Sequence, residues 1–351
     1  MPGPKDGGFT MNEQINALVA EAKKQLFSYP EATKEEKIKY ILKKMIRPKT
    51  APRREAFFWQ HAMLTQALEE AGEVDTLKKF YESWLNKGLP VYHPDGVMNG
   101  YSLLYYYERS KDANMLEAGE ALLRYLVRYK AEMGGTIPYR KHHPTHIYVD
   151  GIGMTAPFLA RYGSVVTKKE ASLLAVEQME AFLEKGMDEA TGLPYHGYDT
   201  ETKEKMGIIG WGRAVGWLML ALADSLEFLP ADGEKMKLTE GFQQLVEAVM
   251  KWQREDGYFS WQLQALDSPK DSSATAMIAH AVQKGCLIGA LLEDYEEHLK
   301  RMEKAILSSV RDGKIYDCSG ECEGFSQYPQ VYGAHPWSLG PGLRFLLERQ
   351  K

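Results

Sequence analysis

Apolar residues recur along most of this chain three and four positions apart, and the runs break at clusters of Gly, Pro, Asp and His. Helices with one wet face are predicted over 12–27, 75–85, 114–129, 168–186, 234–254 and 291–310. A basic helix over 34–46 is bounded by Pro30 and Pro48. Other segments are apolar or small all round, and they start near Arg54, Met98, Gly151, Trp211, Ser273 and Gly340. Strand signals are scarce. These starts lie about 40 to 65 residues apart, which is the period of a helical-hairpin repeat. Six buried helices ringed by outer ones make an all-α (α/α)6 barrel, a repeat that closes on itself and leaves no end exposed. An open solenoid would need more uniform repeats and polar end caps, which this chain lacks.

The loops before the buried helices carry the unusual residues: 92–95, 141–150, 195–199, 211–217 and 332–337. In a toroid the inner N-termini share one end, so these clusters converge on one mouth. Helix dipoles there favour an anionic ligand. Within Trp211–Trp217, Arg213 and Trp217 are four apart and share a helix face. An indole beside a guanidinium suits the ring and carboxylate of a sugar acid. A buried salt-bridged Arg among core Trps fits the same pattern. Gly212 and Gly216 let another backbone or a ligand come close. Asp150 and Asp95 each stand just before a glycine and an apolar helix, where Asp serves often as an N-cap. At a shared mouth two carboxylates can push each other's pKa apart and keep one as an acid; the helix N-terminus opposes this and burial among Tyr148, Trp211 and Trp217 favours it. His196 is either a solvated turn residue or a group that positions a water or hydroxyl.

Composition narrows the function little. Of 351 residues, 44% are hydrophobic and 26% charged, which is globular and ample for a large core. A net charge of -5 argues against nucleic acid as a partner, since phosphate contacts need a basic surface. No apolar run approaches the ~18 residues of a membrane span, so no membrane partner is expected. Residues 1–12 are polar with Gly and Pro and read as a flexible leader before a single catalytic barrel over 13–351. Three cysteines, Cys286, Cys318 and Cys322, without framework spacing suggest a reducing, cytoplasmic setting. Neither Cys318 and Cys322 with His335 nor His142, His143 and His146 match a common zinc pattern, so no metal and no cofactor are expected. Walker A, G-x-S-x-G, dinucleotide and D-D-x-x-D motifs are absent.

Four blocks in order are similar to the unsaturated glucuronyl and rhamnogalacturonyl hydrolases, glycoside hydrolase families 88 and 105. They are Asp95-Gly96-Val97-Met98-Asn99-Gly100, Tyr148-Val149-Asp150-Gly151-Ile152-Gly153-Met154, Tyr195-His196-Gly197-Tyr198-Asp199 and Trp211-Gly212-Arg213-Ala214-Val215-Gly216-Trp217. A weaker block is Asp271 to Met277. The Tyr-His-Gly-aromatic-Asp loop resembles family 105 more closely. The resemblance implies an (α/α)6 barrel that releases a 4,5-unsaturated uronic acid from small oligosaccharides left by a lyase. It implies Asp150 as acid and base, with Asp95 holding sugar hydroxyls or tuning it. Arg213, Trp211 and Trp217 would bind the sugar acid, His196 would contact substrate or water, and Tyr148 and Arg140 would complete the binding surface. A monomer or homodimer is expected. Departures at Pro138 to Lys141 and in the loop from Cys318 to His335 bear on the leaving sugar. Two other readings use the same mouth: another (α/α)6 sugar enzyme, such as a saturated-uronide glycosidase or epimerase, and a non-catalytic carbohydrate binder.

Overall fold

Thr10 opens the first helix with a capping box: its hydroxyl accepts from the Glu13 N–H while the Glu13 carboxylate accepts from the Thr10 N–H. The computed structural model describes residues 10–28, 34–46 and 58–351. The helices are α1 (Met11–Leu26), α2 (Lys34–Ile46), α3 (Trp59–Glu70), α4 (Val74–Asn86), α5 (Gly100–Ser110), α6 (Ala113–Glu132) and α7 (Val149–Val165). They continue with α8 (Lys169–Lys185), α9 (Gly212–Leu226), α10 (Gly233–Met250), α11 (Ser272–Leu287), α12 (Glu296–Ser308) and α13 (Pro336–Arg349). None of the described helices is long and apolar enough to cross a membrane.

Burial separates two rings. Every residue of α9 is buried, whereas α12 buries only Leu299, Met302, Ala305 and Ile306, a single stripe. The inner ring runs α3, α5, α7, α9, α11, α13 and returns to α3, so the toroid closes. Behind it, α1 backs α13 and α3, α4 and α6 back α5, α8 backs α7, α10 backs α9 and α12 backs α11. This is the expected (α/α)6 barrel. Its seams are tight because glycines sit on them. A Cβ on Gly153 would lie 2.8 Å from the Trp217 carbonyl oxygen, one on Gly216 2.7 Å from Met277, and one on Gly340 2.5 Å from the Met63 carbonyl oxygen.

The C-terminal halves of the inner helices carry a buried charge network to which all six contribute. Arg344 on α13 forks onto Asp224 on α9 at 2.7 and 2.9 Å. His280 on α11 bridges Asp224 and Glu348 at 3.3 and 3.1 Å. Gln66 on α3 accepts from Arg344 at 3.3 Å. Arg161 on α7 joins Glu69 on α3 at 2.6 Å and Glu108 on α5 at 2.9 Å. Burial alone would raise the Asp224 carboxyl, but the Arg344 and His280 charges outweigh it and hold it well below the usual range.

Several expected boundaries shift. The helix begins at Met11, so Met11 and Asn12 leave the expected leader, and residues 1–9 lie outside the described residues. So do Arg54 to Phe57; the described part of that inner helix starts at Trp59. The segment from Met98 opens as a 3-10 turn, Pro94–Asn99, before α5. The last inner helix starts at Pro336, not Gly340, because proline at the first position loses no helical hydrogen bond. Among the described residues seven strands of two or three residues appear where strand signals were scarce: β1 (His146–Tyr148), β2 (Gly197–Asp199), β3 (Lys205–Met206), β4 (Val310–Arg311), β5 (Lys314–Ile315), β6 (Cys318–Ser319) and β7 (Tyr332–Gly333). They are too short to leave a period-two signal.

Asp224→Ala strands the buried Arg344 without its carboxylate and leaves His280 with Glu348 alone, so a stability loss of about 3–5 kcal/mol is expected by chemical denaturation. Because the Asp224 carboxyl is depressed on folding, its contribution is present above the ordinary carboxylate range near ~4 and fades as pH falls below it. Acid unfolding is the second check, and the variant loses this part of the pH dependence.

Candidate active site

The mouth is built at the N-terminal ends of the inner helices by a small sheet and one long loop. Strand β1 leads directly into α7, and β2 pairs with it antiparallel, Tyr148 opposite Gly197 and Ile147 opposite Tyr198. A Cβ on Gly197 would stand 2.2 Å from the Ile147 carbonyl oxygen, so only glycine allows this approach. The pairing extends one step, with the Val149 N–H donating to the His196 carbonyl at 3.0 Å. That register sets His196 beside Asp150 in the first turn of α7. The His196 Nε2 lies 2.8 Å from Asp150 Oδ2, and its Nδ1 lies 2.8 Å from the Tyr328 hydroxyl. His196 is 1% exposed while the Asp150 side chain keeps 13%, so the carboxyl is the accessible end of the row.

Asp95 joins from the turn before α5. Its Oδ2 lies 3.5 Å from the Tyr139 hydroxyl. Its Oδ1 is buried without a donor: His93 Nδ1 is 3.2 Å away but accepts the Asp95 N–H, and so carries no proton toward Oδ1. Burial first, then the charges of Asp95 and Asp150, push the Tyr139 phenol well above its ordinary pKa, so one phenol lies within the field of both carboxyls.

Residues 320–331 form a strap across the mouth, rooted where β6 pairs with β7. Three inner helices hold Ser319 at its root. Asp271, the N-cap of α11, accepts from the Ser319 hydroxyl at 2.6 Å. The Trp337 indole N–H on α13 donates to the Ser319 carbonyl at 3.0 Å. Arg213 on α9 donates to the Ser319 hydroxyl at 2.7 Å and the Gly320 carbonyl at 2.7 Å. At the far end of the strap, Phe325 stacks on Tyr148 with centroids 3.9 Å apart and planes 6° apart. Arg140 lies over the Tyr148 ring at 5.7 Å.

The chain matches glycosyl hydrolase family 88 over residues 56–351. This chain belongs to glycosyl hydrolase family 88. The unsaturated rhamnogalacturonyl hydrolase YesR of Bacillus subtilis is 26% identical over 307 residues, 83% of this chain and 87% of that one. A crystal structure of a possible member of the GH105 family from Klebsiella pneumoniae superposes with a TM-score of 0.81 at 17% identity, covering 99% of this chain and 95% of the other. The unsaturated glucuronyl hydrolase of Bacillus sp. GL1, responsible for the degradation of glycosaminoglycan, gives 0.70 at 16% identity, with 97% of both chains covered. The protein is thus a glycoside hydrolase on a family 88 barrel.

Against that frame of helices, Asp95, Asp150, His196, Tyr148 and Arg140 meet at one mouth. Trp211, Trp217 and Arg213 lie beneath it. The two indoles are 0% and 1% exposed, so neither offers a face for the sugar stacking expected of them. Trp211 packs edge-on to His196 at 4.6 Å, and Trp217 packs edge-on to Trp59 at 5.7 Å under Gly153. Arg213, 3% exposed, ties down the strap rather than facing a carboxylate. Helix ends close-packed around glycine cover these side chains. Tyr139, Phe325 and Tyr328 were not singled out, and Cys322 was considered only with Cys318 and His335; the unusual makeup of 138–141 and of the Cys318–His335 loop was the only sign of the other three.

For the family 88 barrel, Arg213→Lys leaves the Ser319 and Gly320 acceptors short of donors. A loss of about 1–3 kcal/mol is expected by thermal or chemical unfolding. An unchanged stability would show that the guanidinium does not anchor the strap.

Proposed function

We propose that this glycoside hydrolase removes a 4,5-unsaturated uronic acid from the non-reducing end of small lyase-generated oligosaccharides, with unsaturated galacturonyl-rhamnose as the favoured substrate. The observation that carries the reading is the Asp150–His196–Tyr328 row, which ends in a partly exposed carboxyl at the barrel mouth. The name of the B. subtilis relative supports the substrate class.

Asp150 in its acid form delivers a proton to C4 of the vinyl ether. Positive charge develops toward C5 and the ring oxygen. The Asp150 carboxylate then takes a proton from the water that adds at C5, and the hemiketal opens to release the next sugar. This differs from a glycosidase with two carboxylates flanking the anomeric carbon. His196 fixes the carboxyl through Oδ2, and Tyr328 fixes the ring through Nδ1. Asp95 Oδ1 lacks a donor but also lacks open surface, so it accepts from a sugar hydroxyl only where the mouth opens on binding. With Arg213 engaged by the strap, Arg140 supplies the cation for the sugar carboxylate: it rests on Tyr148 and has no ion-pair partner among the described residues. The reaction falls in the cytoplasm, in keeping with the free thiols of Cys286, Cys318 and Cys322.

Asp150→Asn keeps the shape and removes the acid. Turnover of unsaturated galacturonyl-rhamnose, followed as loss of the ultraviolet absorbance of the conjugated double bond, drops by about 10²–10⁴-fold or more. Undiminished turnover would sink the assignment. Arg140→Ala raises KM for the same disaccharide and changes kcat little, because a carboxylate held equally in ground and transition states contributes to binding alone. Equal falls in kcat and kcat/KM would move Arg140 into the chemical step.

A further inference from the structure

The hydration of a vinyl ether calls for no thiol, yet one stands at the catalytic carboxyl. A carboxylate oxygen of Asp150, a ring nitrogen of His196 and the Cys322 sulfur all lie within 4.8 Å of one another. Among the described residues no other His, Cys, Asp and Glu side chains gather three ligand atoms this closely. The histidine run at 142–146 and the pair Cys318 and Cys322 with His335 do not.

These donors are of the types zinc accepts together, at about 2.0–2.3 Å from the metal. Ligand atoms around such an ion sit roughly 3–4 Å apart by that geometry, so side-chain shifts of about 1 Å complete the shell. The outer shell is already in place. Tyr328 holds Nδ1 at 2.8 Å, which leaves Nε2 as the nitrogen facing Asp150. In the tautomer with the proton on Nδ1, donated to the Tyr328 hydroxyl, the Nε2 lone pair faces Asp150 Oδ2 at 2.8 Å, a contact that the acid proton bridges until an ion displaces it. Cys322 and Asp150 are both only half-buried, so an ion can reach them.

We infer that Asp150, His196 and Cys322 form an inhibitory site for a thiophilic divalent cation of the zinc type. Binding exchanges the Cys322 S–H bond for a metal–sulfur bond and releases that proton, with the displaced acid proton, to solvent; no electrons are transferred. The bound ion occupies the Asp150 carboxyl and stops it from protonating a substrate. The inhibition, though not the binding, rests on Asp150 being the acid.

The test titrates the full chain with Co²⁺ as a spectroscopic stand-in, then displaces it with Zn²⁺, alongside turnover of the unsaturated disaccharide. The expected result is one equivalent of Co²⁺ with a thiolate-to-metal charge-transfer band, loss of turnover with Zn²⁺ and recovery with EDTA. Cys322→Ala loses the band, keeps turnover and resists Zn²⁺. Tyr328→Phe keeps the band but weakens Zn²⁺ binding by about 10-fold, as loss of an outer-shell partner does. Absence of a thiolate band in the unaltered protein, or a band or Zn²⁺ sensitivity unchanged in Cys322→Ala, overturns the site. The band is read without substrate, so it stands or falls apart from the catalytic assignment.

Discussion

A ring of six helices exists only if the last reaches the first, and that closure is the constraint on which the rest depends. Here α13 comes against α3 so closely that a methyl group on Gly340 would meet the Met63 carbonyl oxygen at 2.5 Å. Closure aligns the inner helices with their N-terminal ends together. Residues from four separate stretches thereby share one mouth, and the strap that begins at β6 has three helix ends to hold it. Without closure, Ser319 would have no common point with Asp271, Arg213 and Trp337.

The two ends of the barrel divide stability from chemistry. At the C-terminal halves of the inner helices the charges are paired across the ring, so every inner helix has a polar reason to keep its place. A paired buried charge adds little over apolar packing, but an unpaired one is strongly unfavourable, so the network penalises misassembled rings. Single atoms of that network go unpaired, Glu69 Oε2 and Arg161 Nε among them; at the mouth Asp95 Oδ1 lacks a donor and the Asp150 carboxyl keeps a side open to solvent. Unsatisfied acceptors at a mouth are what a hydroxylated ligand can satisfy.

Much of the barrel was legible because helical periodicity is a local property. The all-buried run Trp211 to Leu226 and the one-striped α12 differ within a single turn's view of the sequence. Asp150 and His196 were legible as loop residues ahead of buried segments, and Arg140 and Tyr148 as their neighbours. The roles of Trp211, Arg213 and Trp217 were not, because a guanidinium near indoles reads the same whether it faces ligand or loop. What decides it is the Arg213 contact to Ser319, 106 residues away. The Tyr328 partner of His196 is 132 residues distant. No local pattern encodes such pairings, and the three-residue strands that set the His196 register are shorter than any period they could display.

The central claim is that a proton from position 150 goes to a ring carbon and not to a glycosidic oxygen. The most direct measurement is nuclear magnetic resonance of the uronic acid released from unsaturated galacturonyl-rhamnose in D₂O, read at early times. The account predicts one deuterium at C4, delivered to a single face, in a product that has lost its double bond. A first-formed product that keeps the double bond, with no deuterium at C4, would contradict it and return the enzyme to direct cleavage at the anomeric carbon.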